Sequence, residues 1–265
     1  MAVGQVILKT QEEIELIRES ALLVGKTLGE VSKLIKPGVE TISLDRRAEE
    51  FIRDHGGVPA FKDYRSSLDT DPFPYTLCVS VNDEIVHGMP GEKKYLDEGD
   101  IVAVDCGVYM NGYYGDCAYT FAIGEVNSRR KRLMRVTEES LYKGLEKAVE
   151  GNYLGDISNA IQRHVELHGY TIVREMVGHG IGKNLHEPPE VPNYGRRRSG
   201  AKLKEGMVIA VEPMVNLGRR KIKFGSDGWT VVTADGHPSA HYEHTVAIGK
   251  DKCDILSSHE YIVKK

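Results

Sequence analysis

Up to Lys9 the chain shows no periodicity, and from Thr10 it does. Ile14, Ile17, Ala21, Val24 and Leu28 recur at helical spacing, Thr10-Gln-Glu-Glu13 reads as a capping box, and Pro37-Gly38 stops the run. A second helix fits Thr41 to Asp54 and ends at His55-Gly56-Gly57. The period then shortens to two: Tyr75-Thr-Leu-Cys-Val-Ser-Val81 alternates and Asp100 to Val104 is almost wholly apolar, so strands follow. The second part of the chain repeats this order, with helices predicted over about Ser128 to Glu150 and Ile157 to His168 and strands from there to the end.

The repetition reaches individual residues. Leu96-Asp-Glu-Gly-Asp-Ile-Val-Ala-Val-Asp105 returns as Leu203-Lys-Glu-Gly-Met-Val-Ile-Ala-Val-Glu212, and Thr120-Phe-Ala-Ile-Gly124 as Thr245-Val-Ala-Ile-Gly249. Gly38 and His55-Gly56 return as Gly151 and His168-Gly169. Any one pair arises easily by chance, but three in the same order indicate an internal duplication. Two copies are too few for a solenoid. With no linker or break in composition, residues 1–265 read as a single domain with like halves at about 10–124 and 128–249.

Composition narrows the function. The length of 265 residues allows one large core, and a net charge of −4 gives no overall nucleic-acid footprint, so no DNA partner is expected. Basic clusters at Arg196-Arg-Arg198 and Arg219-Arg-Lys221 read first as solvated loops, with weak contact to ribosomal RNA as the lesser reading. Cys78, Cys106, Cys117 and Cys253 lack metal-finger spacing and read as reduced, mostly buried thiols. No apolar run reaches the ~18 residues of a membrane span, and the start lacks a signal-peptide pattern. A cytoplasmic monomer is the expectation.

The duplicated strands deliver acids. Asn111-Gly112 between apolar runs is a strong hairpin signal, and a two-residue turn there sets Asp105 opposite Ala118, with Asp116 on the same face. Glu212 ends an equally apolar run and Glu243 sits in Tyr-Glu-His-Thr-Val-Ala-Ile, so four acids hold related places in two halves. Like charges in such surroundings need a cation. Adding His179 in Gly-His-Gly-Ile-Gly182 gives an oxygen-rich set suited to Mn²⁺, Fe²⁺ or Co²⁺, with Zn²⁺ less expected, and four acids point to two metals.

These residues, with Val86-His-Gly-Met-Pro90, Leu185-His-Glu-Pro188, Glu212-Pro-Met214, Asp227-Gly-Trp229 and Tyr242-Glu-His-Thr245, make the chain resemble type I methionine aminopeptidases over essentially its whole length. The resemblance implies an α+β pita-bread fold with helices packed on a curved antiparallel sheet. It implies two divalent ions on Asp105, Asp116, His179, Glu212 and Glu243, with Asp116 and Glu243 bridging and Glu212 shuttling a proton. It implies His186 on the oxyanion and His87 on the scissile amide, and a methionine pocket walled by Phe61, Tyr64, Phe73, Cys78 and Trp229. The implied activity is removal of the N-terminal methionine of nascent peptides when the second residue is small, as in this chain's own Met1-Ala2.

Departures from the family pattern concern the pocket: Arg65 to Pro72 is longer than usual, Phe73 stands where Tyr is frequent, and Leu185 where Phe is frequent. The rival readings are an Xaa-Pro aminopeptidase or prolidase-like enzyme and a catalytically inactive pita-bread binding protein; all five ligand positions are filled, which weighs against the latter. Of the other histidines, His55 and His168 read as helix caps, His237 and His259 as loop residues, and His241 and His244 as supporting or surface groups.

Overall fold

The computed structural model describes residues 6–65 and 71–263. Met1-Ala2 and residues 66–70 of the long segment before Phe73 lie outside the described residues. Helix α1 (Gln11–Leu34) starts as its sequence dictates: Thr10 Oγ1 accepts the Glu13 N–H and the Glu13 carboxylate accepts the Thr10 N–H. Its apolar stripe, Ile14, Ile17, Ala21, Val24 and Leu28, is buried. Gly25 and Gly29 of the same helix lie under the C-terminal segment, where a Cβ would run into the backbone of Ser258 or Tyr261.

Helix α2 (Thr41–Asp54) keeps the expected bounds. Helix α3 (Ser128–Leu145) ends before the predicted Glu150, because Lys147 and Ala148 donate three residues back to Gly144 and Leu145, tightening the last turn. Helix α4 (Leu154–Leu167) begins earlier than the predicted Ile157. Its start signal is the Asp156 carboxylate accepting the Tyr153 N–H, which no Ser, Thr, Asn or Asp at the cap announces.

Every strand ladder among the described residues is antiparallel. In the first half Ile101–Met110 lies between Leu77–Val81 and Tyr113–Ala122. The hairpin turns at Asn111 and Gly112, both at positive φ, and sets Asp105 opposite Ala118 as expected. In the second half a five-stranded sheet includes Gly178–Gly180, Val208–Val211 and His244–Ala247. A large buried cluster runs through both halves, joining Leu44, Ile52 and Val104 to Ile157, Ile209 and Val246.

The repeated segments make repeated bonds. Gly38 N–H donates to Leu96 O and Leu96 N–H to Val39 O; Gly151 N–H donates to Leu203 O and Leu203 N–H to Asn152 O. Both α2 and α4 end on a histidine whose Nδ1 meets a carbonyl four residues back, His55 on Phe51 and His168 on His164, each at 2.8 Å. Ala103 faces Thr120 as Ala210 faces Thr245. On these matched bonds we propose that the chain is one domain of two like halves, about 10–124 and 128–249.

The halves meet through a reciprocal clasp. Thr120 Oγ1 donates to the His241 carbonyl at 2.6 Å and accepts the His241 N–H at 3.0 Å. Thr245 Oγ1 does the same to Asp116, at 2.8 and 3.2 Å. Between the clasps, Glu243 N–H donates to Ala118 O at 3.0 Å. With Thr120 and Thr245 as equivalents, the position matching Asp116 in the other half is His241, and that matching Glu243 is Ala118. Sequence spacing sets Asp116 four residues before Thr120 and Glu243 two before Thr245, and the register keeps that two-residue offset.

Candidate active site

All twelve residues singled out from the sequence line one cavity of about 180 Å³. Asp105 and Asp116 come from the two strands of the hairpin, His179 from Gly178–Gly180, Glu212 from the residue after Val208–Val211, and Glu243 from the residue before His244–Ala247. Apolar strands that each end in, or carry, one acid are what drive these carboxylates inward. Asp116 and Glu243 are 3% and 2% exposed.

Asp105 Oδ1, Asp116 Oδ1 and Glu243 Oε1 are buried without a hydrogen-bond partner. Among the described residues, the basic groups that reach these four acids are imidazoles. His179 Nε2 lies 3.9 Å from Asp116 Oδ2 and 3.7 Å from Glu212 Oε1, and His241 Nε2 lies 3.6 Å from Glu212 Oε2. Burial therefore pushes the carboxyls up, Asp105 to about 7 and Glu212 to about 8, and Asp116 and Glu243 well above the ordinary range. Burial lowers His179 to about 3, so it is a neutral imidazole. Its Nδ1 meets Gly180 O at 2.9 Å, which leaves Nε2 as the lone-pair nitrogen facing the acids.

Orphaned carboxylate oxygens beside a neutral imidazole are the signature of a site built around cations. One ligand atom each from Asp116, His179 and Glu243 lies within 4.8 Å of the others. The residues fit divalent metal.

Above the acids stands an apolar wall. Phe73 meets Trp229 edge-on at 5.3 Å, Trp229 Nε1 donates to Asp71 O at 3.0 Å, and Phe61, Cys78 and Leu185 complete the lining. His87 lies 6.3 Å from Trp229, ring centre to ring centre, and burial lowers it to about 4. His186 packs 4.3 Å from His179 and stays partly open to solvent; the desolvated side of its ring lowers its pKa, and its Nδ1 lies 2.6 Å from the Tyr64 hydroxyl.

Metallopeptidase family M24 matches residues 15–250. The chain belongs to this family. It is 52% identical to a methionine aminopeptidase of Clostridium acetobutylicum over 252 residues, 95% of this chain and 98% of that one. The crystal structure of methionine aminopeptidase from Thermotoga maritima superposes with a TM-score of 0.92 at 42% identity, covering 96% of this chain and all of that one. A prolidase from Pyrococcus furiosus shares the fold at a TM-score of 0.77 and 22% identity, and this chain spans 66% of it. The M24 chain thus has the pita-bread fold expected from its motifs, and its relatives at high identity are methionine aminopeptidases rather than prolidases.

Sequence reasoning missed two features of this M24 site. His241 was read as a supporting or surface group, and it is 1% exposed with Nε2 directed at Glu212. Its equivalence to Asp116 across the duplicated strands was the available signal. Tyr64 was read only as a wall, and it also holds His186. His244 is buried too, on the face away from the acids. Among the described residues no helix is long and apolar enough to cross a membrane.

Proposed function

We propose that this metal-dependent aminopeptidase removes the N-terminal methionine of peptides whose second residue is small, using two divalent ions held by Asp105, Asp116, His179, Glu212 and Glu243. One observation carries the reading: buried, partnerless carboxylate oxygens form the floor of an aromatic cavity with room for one unbranched side chain. The oxygen-rich donor set favours Mn²⁺, Fe²⁺ or Co²⁺. Ions bound there supply Lewis acidity, stabilising developing negative charge and making water a nucleophile near neutral pH.

The chain's own groups do the rest. Glu212, at the cavity floor, carries a proton from the attacking water to the leaving nitrogen. The Tyr64 hydroxyl donates to His186 Nδ1, which places the His186 proton on Nε2, ready to donate to the oxyanion. His87, a neutral imidazole lining the cavity, donates to the scissile amide. Phe61, Tyr64, Phe73, Cys78 and Trp229 hold the thioether, for which aromatic edges suit the sulfur. A small second residue is required because a closed wall penalises each added methylene by about 1–3 kcal/mol.

The test is hydrolysis of Met-Ala-Ser, Met-Leu-Ser and Ala-Pro-Ala by metal-free protein supplied in turn with Mn²⁺, Fe²⁺, Co²⁺ and Zn²⁺. Rapid cleavage of Met-Ala-Ser alone is expected. Cleavage restricted to Ala-Pro-Ala would replace this reading with the Xaa-Pro one.

A further inference from the structure

Strand alternation puts a different chemistry behind the bridging acids. Asp116 and Glu243 face the cavity, so the next residues, Cys117 and His244, face the opposite side. There the C-terminal segment, fixed on Gly25 and Gly29 of α1, brings His259 against them. Cys117, His244 and His259 are 0%, 2% and 8% exposed, and one ligand atom from each lies within 4.8 Å of the others.

The contacts are those of a ligand set. Cys117 Sγ lies 3.3 Å from His259 Nε2 and 3.9 Å from His244 Nδ1. Two ligands of a tetrahedral site with metal–sulfur and metal–nitrogen bonds near 2.3 and 2.0 Å stand about 3.5 Å apart, between these two values. The imidazoles stack at 4.0 Å and 29°, and each brings one nitrogen to the sulfur. The thiol donates its one proton to the Glu243 carbonyl at 3.0 Å, with both imidazole nitrogens also against the sulfur. An ion in its place satisfies both nitrogens at once. His244 Nε2 faces the Tyr142 hydroxyl at 3.2 Å, the outer partner that orients a ligating imidazole. Ser257 Oγ, 2.8 Å from His244 Nδ1, must turn off that nitrogen when an ion binds. A surface groove lined by Tyr142, His244, Ser257 and His259 gives an ion its entry path.

We propose that Cys117, His244 and His259 form a second metal site for one borderline divalent cation of the Zn²⁺ and Co²⁺ class, distinct from the carboxylate centre. Binding replaces the thiol proton by the ion and releases that proton to solvent. Because Cys117 and His244 adjoin Asp116 and Glu243 on the same strands, an ion here stiffens the backbone that carries those two acids.

Co²⁺ added anaerobically to metal-free, full-length protein tests this, because thiolate ligation produces a sulfur-to-cobalt charge-transfer absorption that carboxylate and imidazole ligands do not. The band is expected in the unmodified protein and in Cys78→Ser, absent in Cys117→Ser, and formed with at least about tenfold weaker Co²⁺ affinity in His259→Asn. His259→Asn, checked by circular dichroism, carries the test if Cys117→Ser does not fold. No band at saturating Co²⁺, a band that survives Cys117→Ser, or one lost in Cys78→Ser overturns the proposal.

Discussion

The Tyr64 hydroxyl lies 2.6 Å from His186 Nδ1. A wall residue of the pocket thereby holds a neighbouring imidazole, and with the phenol as donor the His186 proton sits on Nε2. Tyr64→Phe keeps the ring and removes only that hydrogen bond. The expected outcome in steady-state hydrolysis of Met-Ala-Ser is a kcat lower by about tenfold, the equivalent of about 1.4 kcal/mol, with KM and metal content little changed.

Glu212 lies on the cavity floor with its Oε1 3.7 Å from His179 Nε2. Glu212→Gln preserves its shape and one ligating oxygen while removing the exchangeable proton. Turnover is expected to fall by about 10²–10⁴-fold, the range for a lost general acid–base group. Unchanged turnover in this variant, measured with saturating Mn²⁺, would refute the proton-carrier role.

Metal-free stability has a pH dependence of defined sign. Burial raises Asp105 to about 7 and Glu212 to about 8, so over this range the folded chain holds protons that the unfolded chain has released, and stability falls as pH rises. His87 and His186, lowered to about 4, and His179, lowered to about 3, act in the opposite sense. Their contribution is complete above the unfolded histidine value of about 6.5. From about pH 7.5 to 8.5 the unfolded histidines are almost fully neutral and the carboxyls dominate, so Tm of the metal-free protein should drop across this window. Mn²⁺ should recover Tm, and by more at the alkaline end. Thermal melts followed by circular dichroism check both.

Thr120 and Thr245, both fully buried, clasp opposite halves. Replacing either by Val leaves the partner's backbone N–H and C=O short of one bond each, costing about 1–3 kcal/mol in urea unfolding. The two differ in function. Thr245→Val loosens Asp116 and should weaken Mn²⁺ binding, whereas Thr120→Val acts on His241 and should weaken it less.

Much of this was legible in the sequence because local rules carry it. The capping box at Thr10, the Asn111-Gly112 hairpin and the buried strands ending at Asp105 and Glu212 each follow from a few consecutive residues. What was not legible depends on how the halves meet. The clasp that ties Asp116 to Thr245, Thr120 to His241 and Glu243 to Ala118 joins segments more than a hundred residues apart, and no run of consecutive residues announces it. The same cause hid the Tyr64–His186 bond and the Cys117–His244–His259 cluster, whose third member read as an ordinary loop histidine.

The central claim is that five residues, four of them acids, hold two ions on which turnover depends. Equilibrium dialysis with Mn²⁺, run on the unmodified protein and on Glu243→Ala beside a Met-Ala-Ser assay, tests it most directly. The hard Mn²⁺ ion reports on the carboxylate centre rather than on a thiolate site. The account predicts about two Mn²⁺ per chain in the unmodified protein, with binding and turnover falling together in Glu243→Ala. Full Mn²⁺ binding or undiminished turnover in Glu243→Ala would contradict it.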